Sequence, residues 1–150
     1  MTNPKFVLNF LNQPTRFQAD PNDYRDFFES YDSRKWQEGG NGGSFKYFSD
    51  DGKIFTCLIA HSSEHGILVQ LGARDTVQKK RFRSYITVGN KDKLNDFVDI
   101  GSDEVFSVGC FVSPQKAWIL VREFLREPTK TPSSALLIDA SLIPIPEIYQ

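Results

Sequence analysis

Nowhere does the chain carry an apolar run approaching the roughly 20 residues a helix needs to cross a bilayer. Met1 to Phe10 likewise lacks the basic start and continuous apolar stretch of a secretory signal. The expectation is a cytoplasmic protein with no membrane partner. Cysteine is scarce: Cys57 and Cys110 lie far apart among mostly apolar neighbours, which favours two buried free thiols over a disulfide. Excess charge is missing too. A net charge of -1 gives no global field to draw the protein onto nucleic acid or an anionic surface.

Chemistry-bearing patterns are equally thin. The segment Gly39-Gly40-Asn41-Gly42-Gly43 is followed by no Gly-Lys-Ser/Thr, and neither Gly-x-Ser-x-Gly nor a cysteine-pair zinc motif occurs. His61 and His65 have a spacing that would suit a metal on one helix face, but they bracket a Ser-Ser-Glu turn. They read as solvated loop histidines. A Cys57 nucleophile activated by His61 would need a partly exposed thiolate, whereas Cys57 sits in an apolar strand where burial raises its pKa. Asp50 and Asp51 could act as paired carboxylates, yet the turn they occupy requires such residues locally. The expectations are therefore no enzyme, no cofactor and no metal.

What is present is enough to fold. The 150 residues suit one domain spanning 1–150, and 39% hydrophobic with 25% charged residues is a globular composition. Thirteen phenylalanines against one methionine imply an aromatic-rich interior.

The pattern along the chain is α+β: an antiparallel meander packed against a short N-terminal helix and a C-terminal amphipathic helix. Lys5 to Leu11 reads as an edge or hairpin strand. Asp20 before Pro21, with Tyr24, Phe27, Phe28 and Tyr31 at helical spacing, predicts a helix from Pro21 to about Asp32. Gly39 to Gly43 reads as a loop. Ser44–Ser49 and Lys53–Ala60 flank Asp50-Asp51-Gly52, a strong hairpin signal. After a turn from His61 to Gly66, Ile67–Leu71 and Arg83–Val88 continue the meander. Ser113 and Pro114 then open a helix whose stripe is Ala117, Trp118, Val121, Phe124 and Leu125, with Pro128 closing it. Ala135–Ile138 reads as a last short strand.

Charge is patterned locally. Arg74, Lys79, Lys80, Arg81 and Arg83 form a basic stretch, with Phe82 and Tyr85 nearby. It could bind nucleic acid through phosphate contacts and stacking, although such a run more often guards a sheet edge. Asp92, Asp96, Asp99, Asp103 and Glu104 form an acidic stretch opposed by Lys93. Carboxylates so grouped can capture a basic cleft on a partner.

The segment Phe106 to Leu125, FSVGCFVSPQKAWILVREFL, resembles the bacterial immunity-protein family that includes the partner of a double-stranded-DNA cytidine deaminase toxin. Ser113, Ala117, Phe124, Pro132 and Ala135 to Ile138 occupy matching places. The chain departs at Glu127 before the loop proline and at Leu137-Ile138-Asp139, where family members carry Gly or Arg and a closing tryptophan respectively. The resemblance implies a protein that occludes the active site of a cognate toxin, of nuclease or deaminase class, without turnover. On that reading Asp92, Asp96, Asp99, Asp103 and Glu104 contribute charge, and Tyr85 or Trp36 an aromatic anchor. The alternatives are a nucleic-acid or regulatory binding module using Lys79 to Arg83 and, third, a small hydrolase.

Overall fold

Six strands assemble in the order β1-β2-β3-β4-β5-β8 in the computed structural model, which describes residues 5–101 and 104–146. They are β1 (Phe6–Phe10), β2 (Gly42–Phe48), β3 (Lys53–Ser62), β4 (Gly66–Asp75), β5 (Lys80–Thr87) and β8 (Leu137–Asp139). Every pairing is antiparallel. The expected α+β meander is present. Asp50, Asp51 and Gly52 make the β2–β3 connection, with Gly52 at φ 82°, a conformation that glycine adopts without a Cβ penalty.

One face of the sheet holds the main core. Phe45 of β2, Phe55, Cys57 and Ile59 of β3, and Ile67, Val69 and Leu71 of β4 alternate onto it. Helix α3 (Pro114–Arg126) covers this face with Ala117, Trp118, Leu120, Val121, Phe124 and Leu125, all buried. Its start is the predicted one: Ser113 Oγ accepts from Lys116 N at 3.3 Å, with Pro114 at the first turn. The aromatic cluster expected from composition fills the β1 end of the same core. Phe10 lies within 6.0 Å, centroid to centroid, of Tyr24, Phe27, Phe28, Trp36 and Phe45.

The predicted helix from Pro21 to Asp32 is broken. A 3-10 turn over Pro21–Asp23 leads into α1 (Arg25–Glu29), the chain leaves helical geometry at Ser30, and α2 (Ser33–Glu38) starts afresh. Asp32 causes the restart, since its carboxylate accepts from Arg34 N at 3.0 Å and caps a new helix rather than continuing the old one.

The second face is only half covered. A two-stranded unit, β6 (Phe97–Asp99) with β7 (Val105–Ser107), packs Val98, Ile100 and Phe106, together with Cys110 and Phe111, onto Ala60, Leu68 and Ile86. This short pair was not foreseen, because three-residue strands inside a charged stretch carry no readable alternation. Both cysteines are buried and free.

Candidate functional site

The acidic stretch becomes the outer surface of that appended layer. Asp92 lies in a 3-10 turn over Lys91–Lys93, Asp96 follows it, Asp99 ends β6 and Glu104 precedes β7. All four are exposed. Asp103 lies outside the described residues. None of the four has an ion-pair partner among the described residues. Lys91 and Lys93 bracket Asp92, so the uninterrupted negative portion runs from Asp96 to Glu104.

Hydrogen bonds to three of its backbone carbonyls fix this unit. Val108 N donates to Asp96 O at 2.7 Å and Ser107 Oγ to Leu94 O at 2.7 Å, while Asn41 Nδ2 reaches Ile100 O at 3.4 Å. Asp99 also lines a polar depression of about 230 Å³ with Gln37, Asn41, His61, Ser63 and Glu64. Two carboxylates, those of Asp99 and Glu64, therefore share one rim.

The two aromatic candidates do not join this surface. Trp36 is wholly buried, with its indole N–H donating to Phe27 O at 3.1 Å. It is a core residue and offers no face to a partner, which corrects the expectation of a surface anchor; its position in an unforeseen helix placed the ring inward. Tyr85 is half-buried and stands opposite Leu71 in register, on the α3 face of the sheet. The carboxylates lie beyond the other face.

The basic stretch is likewise not one surface. An irregularity in the β4–β5 register at Ala73/Arg74 pairs Ala73 with Arg83 and Arg74 with Arg81, leaving Phe82 as the extra residue. Arg83 turns to the α3 side, where its guanidinium lies 5.5 Å from the Phe55 ring centroid and donates to Lys130 O and Thr131 Oγ1. It pins the loop after α3. Arg81 turns to the opposite face and joins Arg74 and Lys46 beside a depression of about 370 Å³ that Thr56, Leu58 and Gln70 also line. Lys79 ends the exposed β4–β5 turn and Lys80, also exposed, opens β5 opposite Asp75.

His61 requires a second correction: it is fully buried in β3, not solvated in a loop. It continues the inward alternation of Phe55, Cys57 and Ile59, and the turn proper begins only at Ser63. Nδ1 donates to Asn41 Oδ1 at 2.8 Å, and the Tyr31 hydroxyl donates to Nε2. The Asn41 amide nitrogen, already committed to Ile100 O, fixes that tautomer. Burial pushes the imidazole pKa down to about 4, so it is neutral at physiological pH. Burial also pushes both thiols up, Cys57 most of all. His65 remains near the surface, 3.6 Å from Glu64. Among the described residues no group of three or more His, Cys, Asp or Glu is placed to hold a metal ion.

Sequence reasoning missed the roles of Tyr31, Asn41 and Lys46. Extending the period-2 pattern of β3 by one more step would have found His61 inside. The partners come from distant segments and carry no local signal. Comparison of the chain with family models, with curated proteins and with solved structures found no match.

Proposed function

We propose that this chain is an immunity protein that neutralises a cognate bacterial toxin by binding it and occluding its active site. The observation that carries the reading is the β6–β7 unit, which displays Asp96, Asp99 and Glu104 exposed and without ion-pair partners among the described residues. Exposed carboxylates on a tied-down unit lose little freedom on docking, so their attraction for a basic cleft is retained rather than offset by ordering. A toxin that cuts or deaminates nucleic acid needs a cationic groove for phosphates, and carboxylates in fixed positions are a fitting counter-surface. The resemblance of Phe106 to Leu125 to the immunity family points the same way. On this reading the protein acts in the cytoplasm, where the toxin's nucleic-acid substrate lies, and discrimination among related toxins comes from charge placement.

The test is inhibition. A nuclease or deaminase domain taken from the genes neighbouring that of this chain is assayed on its nucleic-acid substrate with increasing amounts of the protein. Turnover should cease near equimolar ratio, and an Asp96→Lys/Asp99→Lys variant should need far more protein to reach the same inhibition. Undiminished turnover at large excess of the wild-type protein would exclude the proposal.

A further inference from the structure

Half of the second sheet face lies bare among the described residues. On β3 and β4 the covering layer stops at the row formed by Ala60 and Leu68, and on β5 it reaches one row further to Ile86, opposite Gln70. Beyond that row the same face continues through Leu58 and Gln70, then Thr56, Gly72 and Ser84, then Ile54, Arg74 and Arg81. On β2, Ser44, Lys46 and Phe48 extend those rows in register. Leu58 is 37% exposed and Phe48 38%. A sheet face with this much apolar surface usually packs against something.

The charges on it have one sign. Lys46, Arg74 and Arg81 are exposed, and none has an ion-pair partner among the described residues. No carboxylate occupies these rows. The nearby acids are engaged elsewhere: Asp50 with Lys5, Asp51 with Lys53, and Asp75 with the backbone N–H groups of Val77 and Gln78. Arg74 stands directly across from Arg81, and like charges directly opposite on neighbouring strands repel. An isolated fold gains nothing from that arrangement, whereas a carboxylate laid between the two guanidinium groups would satisfy both.

We infer that this open half of the sheet docks a carboxylate-bearing, partly apolar segment of a protein partner, laid over β3 to β5 with its acid between Arg74 and Arg81. The occupant is polypeptide rather than nucleic acid because the apolar positions are mainly aliphatic, Ile54 and Leu58, with Phe48 as the one aromatic. Nucleotide binding of this kind relies on several stacking rings. Small residues at Gly72 and Ser84 shape the depression of about 370 Å³, which takes a branched side chain. The inference stands whether or not the acidic β6–β7 unit meets a toxin, and its test involves no toxin.

A soluble peptide rich in Glu and Leu is titrated into the full-length protein while backbone amide signals are followed by NMR. It should move the signals of Lys46, Leu58, Gln70, Arg74 and Arg81 saturably, and a Lys/Leu counterpart should not. Arg74→Glu should weaken the peptide at least about tenfold without lowering Tm, because the new carboxylate faces Arg81 across the strands. Arg81→Gln, which removes charge without reversing it, should weaken it less but measurably. Unmoved signals on this face, undiminished affinity in both variants, or displacement of the peptide by a thymidine oligonucleotide that shifts the same residues would each overturn the assignment.

Discussion

A buried imidazole with both nitrogens engaged resists protonation, and His61 is held so by Asn41, by Tyr31 and by the nearby Trp36 ring, 5.3 Å away centroid to centroid. Its pKa is near 4 in the fold against 6.5 when free, so between those values the unfolded chain binds the proton and the folded chain does not. Stability from this residue is complete above about pH 6.5 and declines as pH falls through 4, by about 3 kcal/mol in all. Urea unfolding across that range should show the slope, and His61→Gln should flatten it while lowering stability at pH 7. Trp36 makes a simpler case. Being wholly buried, its truncation to Ala should remove roughly 3–5 kcal/mol, measurable by the same unfolding experiment, and any effect on partner binding should track the fraction folded. Both side chains were misjudged in sequence for one reason: a polar or aromatic residue beside a turn signal looks exposed until the strand or helix it belongs to is extended far enough to show its parity.

At the scale of elements, what the chain spells locally is what can be read. The Ser113-Pro114 start of α3, its apolar stripe and the Asp-Gly hairpin rest on neighbours in sequence, and each stands where the pattern puts it. Ser113→Ala should therefore cost about 1 kcal/mol, a fall of about 3 °C in Tm, with the fold unchanged by circular dichroism. The break between α1 and α2 was hidden because Asp32 is at once a helix surface residue and a cap, and only the geometry of Ser30 decides between them. Gly66 shows a longer-range demand. It has φ 108°, and a Cβ there would stand 2.3 Å from Val112 O, the carbonyl that accepts from Ile67 N at 2.9 Å. Gly66→Ala should destabilise by at least about 2 kcal/mol in thermal unfolding, because the β3–β4 turn and the lead into α3 share that contact.

For the whole molecule, sequence order separated acid from base but could not say how they face. The five-cation stretch divides across the β4–β5 irregularity, sending Arg83 to the helix side and Arg81 to the open face beside Arg74 and Lys46. Register decides this, and register is set by pairing between strands rather than by composition. Among the described residues Asp96, Asp99 and Glu104 stay together because a single short unit carries them. One sheet face thus presents a carboxylate-bearing layer over one half and bare cations with aliphatic side chains over the other.

Because the proposed function is recognition by these surfaces, calorimetric titration of the protein into a toxin domain taken from a neighbouring gene tests it most directly. A one-to-one complex in the nanomolar range or tighter is expected, weakened at least about tenfold by Asp96→Lys/Asp99→Lys. Heats no different from those of an unrelated protein of similar charge would contradict it.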